Sequence, residues 1–173
     1  MDLIVVRHAI AQEGRAGLPD ARRALTARGR RRMQRAVVGL QRLGLRFDHI
    51  LHSPLRRAVQ TAALLAPLLR DDGVRSVWAA LAHEPSPELL SELRGELHGE
   101  LHGGLRRECV AAVGHEPWTG ELVAWLVLGT PQNASAFALR KGGVAWLRGE
   151  PEPGGMRLVA LLAPSVLRRL GRE

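Results

Sequence analysis

Three places in this 173-residue chain hold side chains suited to a negatively charged group. The first is Arg7-His8, directly after the apolar run Leu3-Ile4-Val5-Val6. A guanidinium offers a planar fork of donors that matches phosphate or carboxylate oxygens. The imidazole beside it can serve as nucleophile, general base or metal ligand. The second place is Arg57, in Ser53-Pro54-Leu55-Arg56-Arg57. The third is His115, in Val113-Gly114-His115-Glu116-Pro117. Each is a weak signal alone, because an Arg-His pair is more often a surface arginine beside a core histidine. Their value depends on whether the fold brings them together.

Strands and helices that would do so are visible in the apolar pattern. Leu3–Val6 is a strand buried on both faces. In an open α/β sheet, ligands sit in the crevice outside the carboxyl ends of the strands, which is where Arg7 and His8 fall. Next comes a loop containing Gly14, Gly17 and Pro19. Thr26 then caps a helix over 27–43, in which Met33, Ala36, Val37, Leu40 and Leu43 recur at helical spacing and Gly44 marks the end. Phe47–His52 is a second strand. It leads into a helix with Ser53 as N-cap, Pro54 in the first turn and Ala58, Thr61, Ala62 and Leu65 facing inward. Arg57 projects near that helix N-terminus, which itself favours anions, while Arg56 reads as an exposed neighbour.

A short strand at 74–78, a loop at 79–87 and a helix capped by Ser86 come next. A strand over 108–114 ends in Gly114-His115, and a helix starts at Trp118. Two more strands, 138–147 and 157–162, flank a turn rich in Pro and Gly at 149–155 and form a hairpin. The expected fold class is α/β, with a mostly parallel mixed sheet in a single domain over residues 1–173.

Composition narrows the choices. Nearly half of the residues are apolar, which argues against disorder. No apolar run reaches membrane-spanning length, and the first residues lack the charged leader of a secretory signal. The single cysteine, Cys109, precludes an internal disulfide and fits a reducing, cytoplasmic setting. The formal charge is +8, and 24 of the 25 basic residues are arginine, a charge that attracts phosphorylated or otherwise anionic partners. Arg28, Arg30, Arg31, Arg32 and Arg35 crowd the start of one helix against its dipole and read as a solvated face. No nucleic-acid partner is expected: there is no tyrosine and there are two phenylalanines, so no stacking platform for bases is visible. The repeat Gly95-Glu96-Leu97-His98-Gly99-Glu100-Leu101-His102 has metal-ligating residue types. Glycine at every fourth position weakens the helix that would align them, so it reads as an exposed duplication and no metal is expected.

Three such motifs, in this order and at this spacing, resemble the histidine phosphatase superfamily, which has a phosphoglycerate-mutase-like fold. They are Arg7-His8-Ala9 after its strand, Ser53-Pro54-x-x-Arg57-Ala58-x-Gln60-Thr61-Ala62, and Val113-Gly114-His115-Glu116-Pro117. Ala9, the segment Leu25-Thr26-x-x-Gly29 and the short chain resemble its SixA-type phosphohistidine phosphatase branch. The resemblance covers residues 3 to about 162. It implies a three-layer α/β/α sandwich in which His8 attacks phosphorus and is transiently phosphorylated. Arg7 and Arg57 would clamp the phosphoryl oxygens, and His115 would donate to them as charge builds. Phosphoryl transfer needs mainly in-line positioning and charge neutralisation, and these groups supply both without a metal or other cofactor.

One departure bears on the substrate. Where other branches place an acid before a leucine, this chain has Ala80 before Leu81. Glu84 and Glu88 are the nearest substitutes. A phosphohistidine substrate makes the gap intelligible, since imidazole leaves readily once protonated. The expected partner is a phosphorylated protein, such as a histidine-containing phosphotransfer domain. The alternatives are a small phosphate ester, or a phosphate-binding module without turnover. A monomer or weak dimer suits the small size and open site, and no membrane association is expected.

Overall fold

The structure is a computed structural model and describes residues 1–98 and 108–172. In chain order it runs β1 (Asp2–Arg7), α1 (Ala27–Arg42), β2 (Phe47–His52), α2 (Arg56–Leu65), β3 (Leu69–Val77), α3 (Pro87–His98), β4 (Cys109–Gly114), α4 (Trp118–Leu128), β5 (Val144–Gly149), β6 (Met156–Leu162) and α5 (Pro164–Leu170). The six strands form one sheet in the order β3-β2-β4-β1-β5-β6. β1 pairs parallel with β4, and β2 pairs parallel with β4 and β3. β5 and β6 complete the sheet antiparallel, as the expected hairpin.

Alternation along β1 builds the layers. Ile4 and Val6 pack with Met33, Ala36 and Leu40 of α1, Ala58, Ala62 and Leu65 of α2, and Leu167 of α5. Leu3 and Val5 face the other way, against Leu90 and Leu93 of α3 and Leu122, Val123 and Leu126 of α4. With both faces covered, the strands must be apolar throughout, and β4 is buried along its whole length. The result is the three-layer α/β/α sandwich with a mixed sheet. No helix among the described residues is long and apolar enough to cross a membrane.

Several boundaries differ from the sequence expectation. α2 begins at Arg56 with Leu55 at its N-cap position, so Ser53 is no N-cap. The Ser53 hydroxyl accepts from the Leu55 N–H and also bonds His115. β3 starts at Leu69, five residues earlier than expected. β5 starts only at Val144, because 134–137 is a 3-10 turn and Gly142 turns the chain at φ +80. Residues 79–82 also form a 3-10 turn. Gly95–His98 continues α3 despite its glycine, and the second half of that repeat lies outside the described residues. The short helix α5 was not expected, since Leu167 is its one fully buried side chain.

α1 locks the segment after His8. Thr26 caps the helix by accepting from the Gly29 N–H at 2.9 Å. The Ile10 carbonyl accepts from the Thr26 N–H at 3.0 Å and from its hydroxyl at 3.3 Å. Gly29 lies so close that an added Cβ would stand 2.1 Å from the same carbonyl oxygen. Backbone cannot yield as a flexible side chain does. Gly29→Ala should therefore lose about 1–3 kcal/mol of stability, read from urea unfolding. A loss below the error of the fit would show that α1 can shift freely.

Candidate active site

Strand register brings the predicted residues together. Arg7 of β1 pairs with Gly114 of β4, and His52 of β2 pairs with Val113. The ladders continue one residue further. The His8 N–H donates to the Gly114 carbonyl at 3.0 Å, and the Ser53 N–H to the Val113 carbonyl at 3.0 Å. His8 and His115 thus leave adjacent strands at one level, with Ser53 one residue short of it on the third. The rings of His8 and His115 lie 5.1 Å apart, tilted by 50°.

His8 is 5% exposed. Its Nδ1 lies 2.7 Å from the Ala9 carbonyl. A carbonyl oxygen only accepts, so Nδ1 carries the hydrogen and the lone pair resides on Nε2. Burial lowers the His8 pKa to about 3, with His115, Arg57 and Arg7 adding to the effect. Burial and then Arg57 lower that of His115 to about 4. Both imidazoles are neutral at physiological pH. His115 Nε2 sits 2.8 Å from the Ser53 hydroxyl, and its Nδ1 is buried without a partner.

The two arginines are held from opposite sides. Arg7 Nη1 donates to the Leu139 carbonyl at 2.6 Å, and the Leu139 N–H donates to Glu116 Oε1 at 2.8 Å. Glu116 thereby fixes the segment that fixes Arg7. Arg57, 6% exposed, donates Nη1–H to the Asp20 carbonyl and Nη2–H to the Asp20 carboxylate, both at 2.9 Å. Its neighbour Arg56 is exposed. Thr61 ties the two sequence motifs together, accepting from the Ala9 N–H at 3.1 Å and donating to the Arg57 carbonyl at 2.7 Å. Buried side-chain nitrogens without partners include Arg7 Nε, Arg57 Nε and His115 Nδ1. Leaving such groups unmet is costly.

Neither substitute for the missing acid is engaged with these residues. Glu88 is held below its ordinary pKa by the Ser86 hydroxyl and by its own backbone N–H, so it remains anionic at the start of α3. Glu84 is exposed and near Glu121, whose carboxyl is pushed up by burial and by the charges of Glu84 and Glu116. Glu121 was not singled out from sequence. Asp20 was also missed, because one aspartate in a glycine-rich loop carries no periodic signal. The Arg23 hydrogen bond, more than Arg57, keeps the Asp20 carboxyl below its usual value.

This arrangement defines a class: a phosphoglycerate-mutase-like α/β protein with histidines and arginines gathered at the carboxyl ends of its parallel strands. The family model of the histidine phosphatase superfamily (branch 1) matches residues 3–76. An uncharacterized protein of Picosynechococcus sp. is 34% identical over 155 residues, covering 86% of this chain and 85% of that one. The chain belongs to the histidine phosphatase superfamily. Among solved structures, the protein histidine phosphatase SixA complexed with tungstate superposes with a TM-score of 0.78 at 24% identity, covering 96% of this chain and 99% of that one. The alpha-ribazole phosphatase from Shigella flexneri gives 0.73 at 18%, covering 95% and 97%. A phosphoserine phosphatase from Entamoeba histolytica gives 0.64 at 18%, covering 96% and 98%.

The electrostatics lead to two expected outcomes. A histidine whose pKa is lowered by folding binds its proton more readily when unfolded. Stability should thus fall as pH drops from about 6.5 toward 4, and His8→Gln and His115→Gln should each flatten that slope. Thermal unfolding across this range checks it, and an unchanged slope in both variants refutes it. The Asp20 carboxylate pairs with Arg57, but it is 60% exposed, so the pair is weak. Asp20→Asn should bind inorganic phosphate about two- to five-fold more tightly by calorimetry. Weaker binding would show instead that Asp20 orients the clamp.

Proposed function

We propose that this protein is a metal-independent phosphatase that removes a phosphoryl group from phosphohistidine on a signalling protein, through a covalent intermediate on His8. The observation that carries this reading is a neutral imidazole with its lone pair on Nε2, beside a second imidazole and two guanidiniums. The Nε2 lone pair forms a bond to phosphorus while the bond to the leaving group breaks, and that group departs with the electron pair. Water then attacks phosphorus, the P–Nε2 bond breaks, and inorganic phosphate and free His8 result. Arg7 and Arg57 neutralise the phosphoryl oxygens throughout, and His115 donates to them through its N–H.

The absence of an acid at Ala80 supports a leaving group that needs none. In phosphohistidine the protonated imidazole departs neutral, whereas an alkoxide needs a proton delivered to it. The reducing setting suggested by the single, buried Cys109 fits a cytoplasmic enzyme. One observation favours a second reading, a small phosphate ester as substrate. Glu84 and Glu121 lie close together, and the raised pKa of Glu121 would suit a proton donor.

The test compares wild type, His8→Ala, Glu84→Gln and Glu121→Gln on two substrates, a histidine-phosphorylated phosphotransfer domain and p-nitrophenyl phosphate. Fast release from the protein, on the order of 10³-fold or more slower in His8→Ala, with acid-labile phosphate trapped on wild type, is the expected result. Both glutamate variants should retain that activity. Strong ester hydrolysis lost in either glutamate variant, with no action on the protein, would move the assignment to a small-ester phosphatase. Oxyanion binding with no turnover of either substrate would leave a binding module.

A further inference from the structure

A second cationic enclosure adjoins these residues and shares only Arg7 with the proposed reaction. A cavity of about 410 Å³ opens between α1, α5 and the residue 140–142 loop before β5. Arg32, Arg140, Lys141 and Arg168 line it, and no carboxylate does. Ile10, Met33, Ala36 and Pro164 give it apolar walls. β2 and β4 lie on one flank of β1 and β5 on the other. Arg57 and His115 therefore arrive on one side of the β1 end, while the cavity opens on the other, and Arg7 borders both.

Arg32, Arg140, Lys141 and Arg168 with Arg7 make five cations around one hollow, which repel each other unless an anion joins them. The Arg168 pKa is lowered by burial and then by Arg32, which lines the hollow with it, and by Arg172, Arg35 and Arg28 outside it. Apolar walls with a few convergent polar groups, at this volume, are the makings of a small-ligand site rather than of a flat charged surface. Glycine keeps the space clear. Gly142 adopts φ +80, and a Cβ there would reach within 3.8 Å of both Met33 Sδ and Pro164 Cβ. The Gly142 N–H also donates to the Arg7 and His8 carbonyls, each at 3.1 Å. Whatever fills the cavity therefore bears on the backbone that carries His8.

We propose that this cavity binds a small organic anion with an apolar body. Its phosphate, sulfonate or carboxylate head is held by Arg32, Arg140, Lys141 and Arg168, and its body lies against Ile10, Met33, Ala36 and Pro164. The proposal does not depend on which phosphorylated substrate the protein takes.

The probe is 8-anilinonaphthalene-1-sulfonate, titrated into the full chain and followed by fluorescence and calorimetry. Wild type should bind one equivalent, and Lys141→Glu/Arg168→Glu should bind about ten-fold more weakly or worse. The uncharged analogue N-phenyl-1-naphthylamine should be weaker than the sulfonate by a similar factor. Arg57→Ala, which strips the other flank, should leave sulfonate binding unchanged. Equal affinity in the double variant overturns the proposal, provided circular dichroism shows both proteins folded. Loss of binding in Arg57→Ala places the probe at the histidines and likewise overturns it, as does binding of the uncharged analogue at equal strength. If the double variant is unfolded, Lys141→Gln alone replaces it, with a weaker but measurable loss expected and no change overturning the proposal.

Discussion

The parallel register of β1, β4 and β2 is the constraint on which the rest of the site depends. Side-chain reach is short, and a one-residue slip turns every side chain in a strand to the opposite face. With Arg7 level with Gly114 and His52 level with Val113, the three chains leave the sheet together. The ladder bonds made by the His8 and Ser53 N–H groups carry that alignment one residue beyond the strands. Register in turn rests on burial. Leu3, Ile4, Val5 and Val6 are fully covered, as are Val110, Ala111, Ala112 and Val113 beside them. A slip would exchange their positions between two cores that are filled by different helices. The backbone that carries His8, Ser53 and His115 is therefore anchored in the centre of the sheet.

Placing two histidines and two arginines together in a half-dry crevice raises an electrostatic problem, and the fold answers it by burial. Protonated imidazoles here would face two guanidiniums at close range. Desolvation and those same guanidiniums keep both rings neutral, so the permanent charge resides on the arginines alone. The two arginines differ in how they are held. Arg7 is fixed through the Leu139 carbonyl by Glu116, a contact inside the fold, whereas Arg57 is met by Asp20 from an exposed loop. An incoming oxyanion can displace Asp20 from Arg57 without disturbing the core. Cys109 is buried at the start of β4 and burial pushes its thiol up to about 12, so it offers no thiolate.

Much of this was legible in the sequence because the motif residues sit where strands end. The run Leu3–Val6, the Phe47–His52 stretch and the apolar residues before Gly114 announce strands. Arg7 and His8, Ser53 and His115 come within two residues of those strand ends, too near to stray from the sheet. Contacts set by tertiary geometry escaped. Ser53 looked like an N-cap because serine before proline commonly is one, yet its hydroxyl bonds His115 from across the sheet. The strand expected from 138 was cut short because the Leu139 carbonyl is taken by Arg7 and the Gly142 N–H by the end of β1. Neither partner is near in sequence. Asp20 as a ligand of Arg57, and Glu116 as the anchor of the Leu139 segment, were invisible for the same reason, and α5 is too short to show a period.

The arginine excess, which composition alone leaves uninterpreted, divides into separate uses once the chain is folded. Arg28, Arg30, Arg31 and Arg35 are exposed on α1, as a solvated face should be. Arg57 is buried beside His8 and His115. Arg32 and Arg168 fall between these limits, half-covered on facing helices around one hollow. α1 is common to both sides of the arrangement. Gly29 lets it approach the Ile10 carbonyl, which fixes the segment after His8, and the next turns carry Arg32, Met33 and Ala36 to the cavity. The helix that steadies the segment after His8 thus also forms a wall of the neighbouring cationic space, and the two regions are joined by the bonds from the Gly142 N–H to the Arg7 and His8 carbonyls.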